Sequence, residues 1–553
     1  MDPAPADRPP PLAARLVAGG AIAGLALLAV AVVLPGRGWP YNHDALSAFE
    51  RTEWFRRAFL AGDLFPTWSP FCFNGHGTPG PFFYHRLFYT VSGALAAAGL
   101  SSLRAVTVAV VLFLAVGGLG MERLGRALGW PLAVRLAAAA LLILAPYTYT
   151  DWLVRAALAE LAAGMLVPWL FVHALRVMRG ERAGVALGTV WALLFYAHVV
   201  LWLYATIFVA LAFAWALVAQ RAARRRAPWR SPVGSSLLWT ALVLAATAGV
   251  YAVAIRRLGP AFDLDRLRVY QPAELFQIPK RYLSVFNFRW GEQWQGLSVE
   301  IGRAPLLGLL ALAPFAAGAR GRLSRPALLL LGGGALVCFA LQLELAAPFY
   351  RRVPLVDVIQ FPWRLLAFMA PAAVALFCEL AAAVAHGPAR GPRVVAGVVV
   401  AAAVGWQVLF AARAQHIRYG WHRAEEIARA LDALDGPWAG GEFLARGVAP
   451  VPPRAPFVAL DGCALRGSSP ARDLAQPFHF TRLALEVDAG PGCTIHFSQF
   501  ATPFVGVEGV PPEAVRRSPH GTLDVVLGPG RHRLAFARRG VLAALWATRD
   551  RGR

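Results

Sequence analysis

The stretch LFYTVSGALAAAGL (87–100) decides how this chain is threaded. As a helix its fourteen residues would extend only about 21 Å, short of the roughly 30 Å of hydrocarbon in a bilayer. The sequence therefore predicts a juxtamembrane or re-entrant helix here and not a span. On either side of it, apolar runs fall at 13–35, 103–121, 132–147, 157–175, 183–198, 200–219, 236–255, 304–318, 326–344, 365–385 and 394–413. These make eleven candidate membrane helices, several of them short against the ~20 residues a span needs. With 58% hydrophobic residues and a mean hydropathy of +0.52, a set of soluble domains is excluded. The expected fold is a polytopic α-helical membrane protein.

Arginine placement tests the choice at 87–100. With that segment left out of the count, loops 1–15, 122–135, 176–182, 220–231, 319–325 and 386–393 fall on the cytoplasmic side and hold 18 Arg in 63 residues. The opposite loops, 36–102, 148–156, 256–303 and 345–364, hold 17 Arg and Lys in 144 residues. Cytoplasmic loops are enriched in basic residues, and a span at 87–100 would send the run RAARRR (221–226) outside. The first run, 13–35, is long and has no small-residue cleavage site after it, so it reads as a retained anchor. The formal charge of +23 comes from Arg and the single Lys280, scattered in small clusters between apolar segments. That pattern orients a membrane protein and argues against nucleic acid as a partner.

Eleven spans from a cytoplasmic N-terminus place residues 414–553 outside. The chain thus divides into a membrane domain, 1–413, and an extracytoplasmic tail. Within the tail, alternation at Leu483, Leu485 and Val487, at Leu523, Val525 and Leu527, and at Leu534 and Phe536 predicts strands. A helical linker (422–434) leading into a small β-sandwich is the expected organisation. Cys463 and Cys493 lie in that domain, where an oxidising compartment would permit a disulfide. The five cysteines show no zinc spacing.

The polar, chemistry-capable stretches gather in the outer loops. The first loop reads YNHDALSAFER (41–51), GDLFPTW (62–68) and GHGTPGPFFY (75–84). An acidic residue just beyond a membrane exit can stay ionised beside water while facing a lipid-embedded substrate. Asp44 meets that description. Glu50, Glu53 and Asp63 have a plainer reading as partners of nearby arginines. GHGTPG lacks the Lys and following Ser or Thr of a phosphate-binding loop.

Three blocks, His43 to Tyr84, PYTYTDWLVRAALAE (146–160) and QFPWR (360–364), resemble a bacterial family of 6-pyruvoyl-tetrahydropterin-synthase-related membrane proteins, close to the YfhO-like proteins of the GT-C glycosyltransferase superfamily. The match runs through His43 and Asp44, Arg51, Gly62 to Trp68, Gly75, Gly77, Pro79, Phe83 and Tyr84, then the Pro-Tyr, Asp, Arg and Glu of the second block. It departs at Ala48, where a second loop histidine is expected, and at HRL (85–87).

The resemblance implies a GT-C-like membrane fold in the bacterial cytoplasmic membrane. It also implies transfer of a sugar from a polyprenyl-phosphate donor to a glycan or protein acceptor on the outer face, in cell-envelope assembly. Asp44 is the candidate catalytic base. Arg155 and Arg364 would hold the leaving phosphate, since guanidinium binds phosphate oxygens bidentately. Glu160 would orient the acceptor or offset the charge of Arg155. His43, Glu53, His76, Tyr84 and Trp363 complete the candidate substrate contacts. As a plainer alternative, Tyr147 and Trp363 belong to an aromatic belt and the arginines snorkel to the interface. A divalent cation could sit on His43, His76 and Asp44, though no spacing demands one. The rival readings are a lipid-linked sugar transporter or flippase and a non-catalytic assembly scaffold.

Overall fold

The structure is a computed structural model that describes residues 12–220, 230–263, 302–352, 359, 361–416, 420–432, 443–448 and 450–549. Arg8, the basic run 221–226, the outer segment 264–301 with Lys280, and Gln360 lie outside the described residues. The chain is a multi-pass membrane protein. It falls into two compact units: Met1–His43, Thr107–Ala245 and Pro272–Trp421 form the first, and Asp44–Val106, Ala246–Gln271 and His422–Arg553 the second. The loop after Asp44 therefore groups with the tail.

All eleven apolar runs are helical, because in hydrocarbon only a helix satisfies every backbone donor and acceptor within its own segment. Nine helices among the described residues are long and apolar enough to cross a membrane: Leu12–Ala29, Ser102–Ala127, Leu132–Arg155, Leu158–Met178, Val199–Ala219, Pro232–Ala261, Arg303–Arg322, Pro362–Ala385 and Arg390–Gln415. The other two runs correct the count of eleven. Arg325–Ala340 and Glu344–Arg352 are bent by 83° at a short break, so they form one broken span or a re-entrant loop. There the side-chain amide of Gln342 turns back to the carbonyl of Cys338 at 3.0 Å. Gly184–Ala197 has only 14 residues. It stops because His198 is extended, at φ −165 and ψ 108, and its Nδ1 accepts the Leu201 amide to cap the next helix. The segment at 87–100 is a helix of 11 residues, Leu87–Ala97, too short to span.

In the first unit, Leu158–Met178 and Pro362–Ala385 are the most enclosed helices, each 89% buried over its apolar window, against 22% for Leu12–Ala29. Small residues let the helices approach closely, since lipid tails give no hydrophobic drive to join them. At Gly334 a side chain would overlap the Phe208 ring. Two buried acids tie helix ends together. Glu122 accepts from Arg126 at 2.8 Å and Arg135 at 2.6 Å, and Glu379 accepts from Trp130 Nε1 at 2.7 Å and the Ser324 amide at 2.8 Å.

The second unit contains the tail domain. Its strands are β1 (Val458–Ser469), β2 (Arg482–Phe500), β3 (Val505–Glu508), β4 (Val515–Arg517), β5 (Thr522–Leu527) and β6 (Gly530–Arg538), in the order β3-β6-β2-β5-β4 with β1 paired to β2. All pairings are antiparallel. One half of β2 pairs with β6 and the other with β5, on either side of Gly490–Gly492. Phe497, in the second half of β2, stacks on Phe536 of β6, the partner of the first half, at 4.4 Å. The expected sandwich is thus one sheet folded upon itself. The alternating residues Leu483, Leu485, Val487, Leu523, Val525, Leu527, Leu534 and Phe536 are all buried in it. Cys463 and Cys493 form a disulfide across β1 and β2 with Cα atoms 5.1 Å apart.

Within the same unit the loop that begins at Asp44 is built onto this sheet. Trp68 Nε1 donates to Gln499 Oε1 at 2.8 Å, and Asp63 receives Arg538 at 2.8 Å and His479 at 3.2 Å. Burial lowers the Arg538 guanidinium below its usual range, with Asp63 opposing. Gly77 has φ +86, and any side chain there would overlap Trp68. The linker is realised as the helix Ala424–Asp432, whose Leu431 carbonyl accepts from Arg57 at 3.2 Å.

Candidate functional site

The second motif block makes a break between two spans of the first unit. Pro146 opens a single α-turn, Pro146–Tyr149, followed by a π-helical turn, Thr150–Arg155. Ala156 then adopts a left-handed conformation, φ 53, before Leu158 starts the next helix. Left-handed backbone costs an L-residue about 1–2 kcal/mol, and wide turns of this kind recur at functional sites. Here they bring Asp151, Arg155 and Glu160 together. Asn42 fastens the same turn from the first loop, its side-chain amide donating to the Leu153 carbonyl at 3.3 Å, and Trp39 meets Trp152 edge-on at 6.1 Å.

Arg155 Nη1 donates to Asp151 Oδ1 at 2.8 Å and to Glu160 Oε2 at 3.0 Å. Arg364, from the third motif block at the head of Pro362–Ala385, places Nε 3.1 Å from the same Glu160 oxygen. The other Glu160 oxygen accepts from Tyr147 Oη at 2.5 Å. Trp363 lies beneath the Arg155 guanidinium, 4.5 Å from ring centroid to Cζ. Two cations and two carboxylates balance one another, with side-chain exposures of 8% for Arg155, 14% for Arg364, 3% for Asp151 and 1% for Glu160. Charges taken out of water each cost several kcal/mol, which good mutual geometry only roughly offsets. Such a cluster is costly as mere scaffolding. Chemically it is a pair of guanidinium groups aligned by a shared carboxylate, able to take an incoming phosphate oxygen.

The candidate residues divide clearly. Arg155, Glu160, Trp363 and Arg364 come together. Trp363 is buried against Arg155 and Phe361, with the Arg155 guanidinium over its ring. Asp44 is exposed at the start of helix Ala45–Leu60 and makes no side-chain capping bond to it. His43 is exposed beside it. Tyr84 is half-buried under the Arg51 guanidinium at 3.8 Å.

Two candidate residues of the first loop, His76 and Glu53, are buried and hydrogen-bonded within the second unit. His76 is buried, its Nδ1 2.5 Å from the Ser498 carbonyl and its Nε2 3.1 Å from the Pro453 carbonyl, with the ring stacked on Phe500. Both ring nitrogens are spent, so His76 does not fit a divalent cation site. Glu53 is buried and clamped by Arg56 at 2.5 and 2.6 Å and by Arg57 at 2.7 Å. Burial acts to raise its carboxyl, but these bonds hold it below the ordinary value. Glu50 behaves oppositely: burial raises it, and its neighbour is the buried Cys72 thiol at 3.4 Å. Among the described residues no three His, Cys, Asp or Glu side chains gather as metal ligands.

Asp151 and Tyr147 stand in the second motif block, but the sequence reading assigns them no place among the candidate substrate contacts. Asp151 had a local signal, standing four residues before Arg155 on one turn. The bond from Tyr147 to Glu160 had none, because it depends on the break at Pro146.

The sequence matches no protein-family model, and no curated protein matches it. Among solved structures the chain resembles a cryo-EM structure of the arabinofuranosyltransferase AftD from mycobacteria, with a TM-score of 0.47 and 17% identity over 74% of this chain. Two structures of a variant of that protein give TM-scores of 0.41 and 0.43 at 19% and 18% identity, over 71% of this chain. The chain spans 27% to 28% of the length of those proteins.

Proposed function

We propose that this chain is a membrane glycosyltransferase of the GT-C type, of the 6-pyruvoyl-tetrahydropterin-synthase-related and YfhO-like kind. It would transfer a sugar from a polyprenyl-phosphate donor to an acceptor outside the cytoplasmic membrane, in cell-envelope glycan or glycolipid assembly. The observation that carries this reading is the buried pair Arg155 and Arg364 on one oxygen of Glu160, at a strained break between spans. An anionic lipid-linked donor would present its phosphate to such a pair while its chain stays in hydrocarbon.

In this reading the acceptor hydroxyl attacks the anomeric carbon, and the bond from that carbon to the phosphate oxygen breaks. The phosphate leaves with the electron pair, stabilised by Arg155 and Arg364. Glu160 and Asp151 hold the two guanidinium groups in place before the donor arrives, so little reorganisation is needed at the moment of transfer. Asp44 takes the acceptor proton. Its support is that the carboxylate is exposed and makes no capping bond to the helix it precedes. The Cys463–Cys493 disulfide supports an extracytoplasmic tail, since such bonds persist in oxidising compartments.

Lipid profiling of a strain lacking the gene tests the proposal. Accumulation of a polyprenyl-phosphate sugar, reversed by the wild-type chain and not by Arg364→Gln, is the expected result. An unchanged pool of lipid-linked sugars, or full rescue by Arg364→Gln, would overturn it.

A further inference from the structure

We propose that the C-terminal helix Val541–Arg549 is an interfacial anchor that lies on the bilayer surface and binds lipid through Leu542 and Trp546. The helix packs against Val250–Leu258, the last turns of the span Pro232–Ala261, and both belong to the second unit. Ala544 is fully buried within that unit, while Leu542 is 71% and Trp546 66% exposed. Residues four apart share one face of a helix, so these two large apolar side chains expose most of their surface on the same side.

The neighbouring span shows what covers that face. Its own exposed side chains at this level are Val250 and Val253, which a membrane helix turns toward lipid. Arg256 and Arg257 follow, exposed, where the span leaves the hydrocarbon. The packed helix therefore stands at the depth where the span passes from acyl chains to headgroups. Tryptophan favours that layer, and a short helix with an apolar face and no acidic residue suits it. The lipid-facing surface of the span thus extends onto the tail, and the second unit is held to the membrane at the tail as well as through the end of the span Pro232–Ala261.

The test is nitroxide labelling of the full chain in nanodiscs of phosphatidylcholine and phosphatidylglycerol. Leu542→Cys provides the site. The free cysteines Cys72, Cys338 and Cys378 are buried and Cys463 and Cys493 are bridged, so the label goes to position 542. Arg516→Cys, exposed on the tail sheet, is the aqueous control. The expected result is that oxygen relaxes the label at 542 several-fold more, and a water-soluble nickel chelate several-fold less, than at 516. Equal nickel access at the two positions would overturn the proposal, as would a label at 542 shielded from both reagents, which would mean a protein partner covers the face. Because Leu542 is exposed, the substitution leaves the core intact. A second reading comes from Trp546→Glu, which should turn a label at 542 water-accessible without loss of the Cys463–Cys493 bridge.

Discussion

Arg155 and Glu160 close a salt bridge across a left-handed residue. Nη1 stands 3.0 Å from Oε2, with Ala156 at φ 53 in the interval between them. The bridge joins the end of one membrane helix to the start of the next, so the backbone at Ala156 sets where the cation stands. Arg364 reaches the same oxygen from a third helix.

The backbone requirement gives the first prediction. Ala156→Gly should keep activity and match or exceed wild-type thermal stability in detergent, because glycine adopts this conformation without the penalty of about 1–2 kcal/mol. Ala156→Val should insert yet lose most transfer activity, as a β-branched residue cannot hold φ 53. Equal behaviour of the valine variant and wild type would show that the left-handed turn does not matter.

The cations give the second. Arg155→Lys and Arg364→Gln should each lower turnover about 10²–10³-fold, the cost of removing one preorganised group that stabilises developing charge. Lysine is not an adequate substitute, because one ammonium cannot bridge Asp151, Glu160 and a phosphate in a planar fork. A steady-state transfer assay decides, and retention of more than a third of wild-type turnover by either variant would remove that arginine from the site.

Much of this was legible in the chain. The apolar runs are largely helical, and strand alternation in the tail marks the faces that become buried. Arg155, Glu160 and Arg364 were nameable because each sits in a short motif at the end of an apolar run. What escaped depended on long-range placement. Glu53 has a local signal, with Arg56 and Arg57 three and four positions on, whereas nothing local distinguishes His76 as a ligand or a structural group. The fate of His76 is set by carbonyls at Ser498 and Pro453, more than 370 positions away. The 14 residues of Gly184–Ala197 pattern like a span, and their early stop depends on the backbone of His198. The 83° bend at 341–343 likewise has no Pro or Gly to announce it.

Glu53 supplies a pH dependence. Its carboxyl is held below its ordinary value of 4.5 in the folded state by Arg56 and Arg57, so it adds stability above that value. The contribution is lost as pH falls below 4.5 and through the folded-state value. Between neutrality and acid the wild type should therefore lose more thermal stability than Glu53→Gln, and the two melting curves should converge at the acid end. Parallel curves across that range would contradict the role given to the ion pair.

The disulfide gives a test of sidedness. In intact cells Cys463 and Cys493 should resist a membrane-impermeant maleimide until an impermeant reductant is added, and then label fully. Labelling that needs permeabilised cells would place the tail in the cytoplasm and remove the outer-face reading.

The most direct test of the central claim is transfer by the purified chain in nanodiscs, measured as polyprenyl phosphate released from the lipid-linked sugars of a strain lacking the gene. The wild type should release polyprenyl phosphate and label an acceptor in equal amounts, and Asp44→Asn, inserted normally, should be slower by about 10²–10⁴-fold, as expected for loss of a general base. Equal rates for Asp44→Asn and wild type would remove the base, and no release by the wild type from any lipid-linked sugar would contradict the account.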